Sequence, residues 1–397
     1  MKAPDLSRDV LILGPLANRL LIGGGLVGVL GLVAGVLLAA DAQALLAAWL
    51  LNSFFVLSLV LGGLVFVLIQ HLTRAGWSVV VRRLAEGLAM GAPLAALLIL
   101  PLLFGLGHLY PWADPARVAE EPLVQAKLGY LNAPFFTARV VGYLAIWTGL
   151  GWFLFRRSVR QDADGDPRHT LTLQTWSAPG VVLFTLTTTF AGFDLLMSLE
   201  PAWYSTIFGV YVFAGALVAA LATMILMIRG LQATGRLRLA ITPEHLHDLG
   251  KLLFGFTIFW AYIAFSQYML YWYANLPEET VFYRTRMAGG WEWVGLALLV
   301  GHFALPLLLL ISRHPKRRPI LLALGAAWLL GMHWVDLLWL VGPAVHPEAL
   351  QVTAPEVALG VGMSGLLVAW LALVLRRVAL VPVRDPRLPE SLTFENV

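Results

Sequence analysis

Residues Phe190 to Tyr204 read Phe-Ala-Gly-Phe-Asp-Leu-Leu-Met-Ser-Leu-Glu-Pro-Ala-Trp-Tyr, and residues Gly331 to Pro343 read Gly-Met-His-Trp-Val-Asp-Leu-Leu-Trp-Leu-Val-Gly-Pro. Each stretch sets an aspartate, Asp194 or Asp336, late in an apolar run. Each follows it with Leu-Leu and places a proline, Pro201 or Pro343, seven positions beyond it. A carboxylate in hydrocarbon costs about 2.5–3.5 kcal/mol on insertion scales, so two at matching positions mark places where fold or function requires them.

The surrounding chain makes hydrocarbon the right reference. Of 397 residues, 59% are hydrophobic and only 13% charged, against about 25% charged in a soluble domain. The apolar runs have helix length rather than the ~10-residue alternation of a membrane barrel. Ten are long enough to span, at about 20–40, 43–71, 84–109, 132–156, 176–198, 204–229, 248–274, 290–312, 319–342 and 356–376. The first has a longer apolar core than a cleaved leader and reads as a span. The expected fold is an all-α integral membrane protein, one membrane domain over 1–380 with a polar, proline-containing tail over 381–397. Pro382, Pro386 and Pro389 lead us to expect that tail to be extended or disordered. Cysteine is absent, which excludes thiolate-held iron–sulfur clusters, c-type haem attachment and disulfides within this chain. No glycine-rich nucleotide loop is present, and the many glycines lie scattered through apolar runs, where they let helices approach closely. The basic excess sits in short loops and implies orientation, not nucleic acid.

Lys and Arg divide unevenly between the two sets of loops. Twenty-two fall at the termini and in segments 72–83, 156–168, 229–251 and 313–318; four, Arg117, Lys127, Arg284 and Arg286, fall on the other side. The remaining one, Arg139, lies inside the fourth run. The positive-inside rule makes both termini cytoplasmic, in a bacterial inner membrane. The two Asp-Leu-Leu copies then lie on the fifth and ninth spans, which run in the same direction. That predicts a parallel repeat of four-helix bundles, spans 2–5 and 6–9, with pseudo-repeat bounds near 43–200 and 204–343, flanked by spans 1 and 10.

Helical rise converts position to depth. Asp194 falls roughly 6–10 Å below the outer end, Asp336 at about the same level and His333 about 13 Å down. Arg139 falls about 8 Å in, Gln267 about 12 Å, and His302 about 18 Å, with Glu292 at the rim. This shared outer level is expected to be one site. Its simplest reading is structural, with Arg139 neutralising Asp194 and Asp336, and His333 bonded to Asp336 one turn away. The functional reading is that a carboxylate and an imidazole accept the hydroxyl protons of a quinol, or carry protons without one. A bis-histidine haem between His302 and His333 is a further alternative. On the cytoplasmic side Glu86, beside Arg82 and Arg83, reads as a surface ion pair, or as the inner point of proton uptake. The dense aromatic run Trp260 to Tyr273 reads as an interfacial belt or a flat wall for a quinone ring. The outer loop 110–131 is polar enough to meet a partner. A stand-alone transporter, which would need helices broken near mid-membrane at Pro306, Pro93 or Pro101, and a non-catalytic anchor are the other function classes.

Three stretches carry a family resemblance: Ser198-Leu-Glu-Pro-Ala-Trp-Tyr-Ser-Thr-Ile-Phe-Gly-Val-Tyr211; Trp260 to Thr280, with its Phe-Ser-Gln and Tyr-Ala-Asn-Leu-Pro-Glu-Glu-Thr; and His333-Trp-Val-Asp336. Together they resemble the NrfD-like (polysulfide reductase membrane subunit) family, closest to the ActF-type second membrane subunit of alternative complex III. The resemblance covers about 20–376. It implies a ten-helix subunit of a bacterial quinol:cytochrome c oxidoreductase, respiratory or photosynthetic, using menaquinol or ubiquinol. It implies an iron–sulfur subunit, a multihaem cytochrome c subunit, a homologous NrfD-like subunit, small membrane subunits and lipids as partners, with the clusters and haems c in the partner chains. The residues it carries over are Asp194, Arg139, Gln267, His333 and Asp336.

Overall fold

The computed structural model describes residues 5–396; Lys2, one of the cations counted above, lies outside them. Ten helices are long and apolar enough to cross a membrane. They are α1 (Pro15–Leu38), α2 (Ala42–Leu72), α3 (Val79–Phe104), α4 (Ala133–Asp164) and α5 (Arg168–Leu199), followed by α6 (Phe208–Ala233), α7 (Pro243–Ala274), α8 (Trp291–Leu310), α9 (Pro319–Val345) and α10 (Ala354–Leu375). Among the described residues the only extended pairing is an isolated bridge between Val10 and Arg236. The chain is an all-α, multi-pass membrane protein.

Two helices, α2 and α6, are buried along most of their length and pack on each other. Around α2 stand α3, α4 and α5; α6 packs on α7 and α9, and α8 packs on those two. The two groups of four match the predicted bundles. The two flanking helices stand together. Helix α10 lies on α2, and α1 lies on α10, so both cover the first bundle. Small residues make that seam: a Cβ added to Gly24 would stand 2.7 Å from the Gly365 carbonyl oxygen, and one on Gly31 would collide with Gly362 Cα. Close backbone approach of this kind supplies packing where lipid offers no hydrophobic drive.

Helices α4 and α5 run well past the expected ends of their apolar runs. Hydropathy reports where hydrocarbon stops, whereas the backbone ladder continues into water until a cap ends it. In α4 the caps are Asn132, whose side chain accepts from Phe135 N–H at 3.0 Å, and left-handed Gly165 at φ 72°.

Prolines break three other spans, and the released carbonyls are taken up by side chains. In α3 the regular helix stops at Ala89, resumes at Ala92 and tightens to a 3-10 turn over Leu100–Phe104. The Met90 carbonyl, three residues before Pro93, accepts from the Trp370 indole at 2.6 Å, and the Leu98 carbonyl, three before Pro101, accepts from Trp49 at 2.6 Å. In α9, Pro343 cannot bond to Trp339, and Arg286 donates to the Trp339 and Leu340 carbonyls at 3.1 and 3.0 Å. In α8, Leu298–Ala304 widens to a π-helix ahead of Pro306, and Trp328 donates to Gly301 O at 2.7 Å. No water reaches these groups in a bilayer, so the indoles and guanidinium replace it.

The tail is the main departure from expectation. From Val381 it is neither extended into solvent nor disordered, but lies across the helix ends. Leu380 N–H donates to Leu11 O at 2.7 Å, Asp385 pairs with Arg82, and Ser391 Oγ donates to Trp77 O at 2.6 Å. His245 Nε2 donates to Ser391 O at 2.9 Å, and Asn396 donates to Glu244 O at 3.2 Å. Its prolines forbid a long helix but not docking. Asp385, 4% exposed, supplies the carboxylate that buried Arg82 requires.

Candidate functional site

The polar groups predicted to share one site fall into separate clusters. The first belongs to the α2–α5 bundle. Asp194 is fully buried and accepts from Arg139 Nη2 at 2.8 Å and Nε at 2.9 Å, a two-pronged pair, with the Tyr143 hydroxyl at 2.9 Å as third donor. The remaining Arg139 nitrogen donates to Tyr130 O at 3.0 Å, and the guanidinium lies 3.8 Å over the Tyr130 ring. Burial and the nearby Asp194 carboxylate push the Tyr130 hydroxyl up to about 12, so it stays protonated in this corner. The outer loop closes the cluster from above: Tyr110 and Trp112 are buried and stacked, and Tyr110 donates to Leu195 O at 3.0 Å. Asp194 and Arg139 thus form the ion pair that the structural reading expects.

The second cluster belongs to the α6–α9 bundle and contains Asp336, 1% exposed. Arg139 does not reach it. Its oxygens accept instead from the Tyr211 hydroxyl and from the Trp260 indole at 3.2 Å, both neutral donors. No ion pair to Asp336 forms among the described residues, whereas Asp194 and Glu200 each have an arginine. Nor does His333 bond to it. His333 Nε2 meets Ser58 Oγ on α2 at 2.8 Å. Because the Ser58 hydroxyl already donates to Phe55 O at 2.7 Å, it accepts from His333 Nε2–H. That leaves Nδ1 as a buried acceptor with no partner. It faces Gly215, where a Cβ would stand 3.2 Å away.

His302 completes this cluster. It sits in the π-helical stretch of α8, fully buried, with neither ring nitrogen hydrogen-bonded. Its ring stacks on Trp260 at 3.9 Å and 27°. Trp260 therefore touches both groups, its nitrogen bonding Asp336 and its face covering His302. A π-bulge turns a residue out of register with its helix, and such bulges concentrate at functional sites.

A third cluster caps the second from the outer side. Gln267 accepts from Ser205 Oγ at 2.8 Å and donates to the Tyr283 hydroxyl at 3.2 Å. Beside it Arg286, 2% exposed, pairs with Glu200 at 2.7 Å and lies 3.5 Å over the Phe282 ring. Burial pulls Arg286 down from its usual value while Glu200 opposes the shift; a guanidinium keeps its charge through such a change. Counted by sequence, Arg286 is merely an outer-loop cation. The Leu-Glu-Pro closing α5 was the available signal that a carboxylate waits for it.

Two expected residues lie elsewhere. Glu292 is exposed and accepts from Gly290 N–H at 2.9 Å, closing the start of α8. Glu86 is not a surface pair, being 1% exposed between Arg83 at 3.0 Å and Arg82 at 3.3 Å, with Asp162 on Arg83 at 2.7 Å and the tail's Asp385 on Arg82. The aromatic run of α7 divides: Trp260 is interior, while Tyr262, Phe265, Trp272 and Tyr273 face outward as an interfacial belt. Sequence reading missed Tyr211, Ser58 and Tyr143 as site residues; Tyr211 stood at the end of a quoted motif, and the other two carried no sequence signal. No family model matches this chain, and no curated protein matches it.

Proposed function

We propose that this chain is a membrane subunit of a bacterial quinol:electron-acceptor oxidoreductase of the alternative complex III type, and that its own part is to hold and pass protons at Asp336. One observation carries the reading: Asp336 is a buried carboxylate with two neutral donors and no cation, while the carboxylates of the neighbouring clusters each have an arginine. A buried charge left without a partner is costly; a proton is the partner that would neutralise it. Tyr211 and Trp260 orient the carboxylate. Of the three unpartnered ring nitrogens of His302 and His333 nearby, two can accept a proton.

The sealed packing around Asp336 favours proton handling over seating a quinol ring in this cluster. Quinol, menaquinol or ubiquinol, is then oxidised with a homologous membrane subunit, and electrons leave through an iron–sulfur and a multihaem cytochrome c subunit. The absence of cysteine here supports placing the metals in those partners. The Lys and Arg distribution supports an inner-membrane location with both termini cytoplasmic. Glu86, the inner candidate, stands between two arginines.

The test is Asp336→Asn in the intact complex. Quinol-oxidation turnover is expected to fall at least tenfold, with the iron–sulfur and multihaem chains still co-purifying. Unchanged turnover would reduce the chain to an anchor. The interruption of α3 at Met90–Gly91 and the π-helix of α8 favour a second reading, a stand-alone transporter with broken helices. Substrate-driven flux in vesicles holding this chain alone would select it.

A further inference from the structure

At the end of the molecule that carries both termini, a cavity of about 460 Å³ opens between the last turn of α6 and the first turns of α7 and α9. Its polar lining is Arg229, Gln232 and Arg238; Ile241, Pro243 and Pro319 form apolar walls. Gln232 fixes both guanidinium groups. Its side-chain oxygen accepts from Arg229 Nη1 at 2.6 Å, its backbone carbonyl accepts from Arg238 Nε at 3.0 Å, and its own amide is tied to Ile241 O at 2.9 Å. The loop bearing Arg238 is anchored in turn, since Asp9 accepts from the backbone N–H groups of Arg238, Leu239 and Ala240 at 3.1, 2.8 and 2.8 Å.

Neither Arg229 nor Arg238 forms an ion pair among the described residues, although the neighbouring Arg317 takes Glu244 and Lys251 takes Asp248. Two like charges held on one cavity repel unless an anion joins them. Arg229 retains Nε and Nη2, and Arg238 retains both terminal nitrogens, with no hydrogen bond among the described residues. These are the donors that suit a phosphate. The apolar walls distinguish the possible anions. Pro319 begins α9, which exposes Ile320 and Leu324 to the surroundings, so hydrocarbon begins directly beside the guanidinium groups. We infer that this cavity binds the phosphate of an anionic membrane lipid, with the acyl chains laid along the outer face of the helix ends.

The experiment uses the full chain, purified in the assembly in which its membrane holds it. After delipidation the protein is titrated with phosphatidylglycerol, cardiolipin, phosphatidylcholine or inorganic phosphate, and bound lipid is read by native mass spectrometry and thermal midpoint. Phosphatidylglycerol and cardiolipin are expected to remain bound and raise the midpoint, phosphatidylcholine to do neither. Arg229→Gln with Arg238→Gln should weaken retention at least tenfold, while Arg160→Gln with Arg168→Gln, cations away from the cavity, should leave it unchanged. Should the double variant fail to fold, Gln232→Leu is the substitute, expected to weaken retention by releasing Arg229, which the Gln232 side chain holds. Equal retention by the cavity variant, equal retention of phosphatidylcholine, or full replacement of the effect by inorganic phosphate each overturns the assignment.

Discussion

Asp194 and Asp336 show how neighbours assign different work to one residue type. Arg139 and Tyr143 give Asp194 three bonds, two from a guanidinium. Asp336 receives two from neutral groups. Removing one partner of a buried ion pair costs about 3–5 kcal/mol, because the other charge stays buried alone. Asp194→Asn is therefore expected to lower the thermal midpoint steeply, with Arg139→Ala as bad. Asp336→Asn removes a carboxyl group that no cation matched, and its amide oxygen can still accept from a neutral donor. Its midpoint is expected to stay level or rise even as proton handling is lost. Thermal unfolding of the purified variants reads both, and a fall for Asp336→Asn as large as for Asp194→Asn would show that Asp336 is structural.

At the scale of the element, the helices are defined by their interruptions as much as by their apolar faces. Pro343 separates two carbonyls from the ladder of α9, and Arg286 claims both while pairing with Glu200. Arg286→Met is expected to destabilise the outer half of the second bundle by about 3–5 kcal/mol through the stranded Glu200; adding Glu200→Gln should recover part of that loss in the same unfolding assay. The π-helix of α8 sets His302 against Trp260. Pro306→Ala restores an N–H and permits an ordinary α-helical register. If the bulge positions the site, this variant keeps its stability but loses quinol-linked proton uptake in the intact complex; full uptake would make the bulge incidental. On the opposite side, Gly31→Leu meets the Gly362 backbone, and α1 is expected to undock from α10 and become open to protease.

Across the whole molecule, the tail links parts that sequence separation hides. It touches the loop between α2 and α3, the start of α3 and the start of α7, and its Asp385 sits on the arginine that also holds Glu86. Truncation after Leu380 is expected to leave Arg82 without that carboxylate, lower the thermal midpoint and open the helix ends beneath. Because the chain has no cysteine, Ser78→Cys provides a clean probe of that opening. Ser78 is fully buried, so maleimide should react slowly in the intact chain and at least tenfold faster in the truncated one. Equal rates would show that the tail covers nothing.

The sequence by itself determined the membrane class and the number of spans. Those follow from hydropathy, which acts locally along one chain. It also marked Asp194, Arg139, Gln267, His302, His333 and Asp336 as interior groups, and all are buried or nearly so. What only the tertiary structure decided is which of them meet. Depth is one coordinate, and groups at the same depth can stand in different bundles, as Asp194 and Asp336 do. Rotation of each helix about its axis sets the other coordinates, and packing fixes it: the α2–α6 contact, the bulge at Pro306 and the small-residue seam. That rotation gave Asp194 an arginine, turned His333 to Ser58 rather than to Asp336, and left Asp336 the buried carboxylate without a cation.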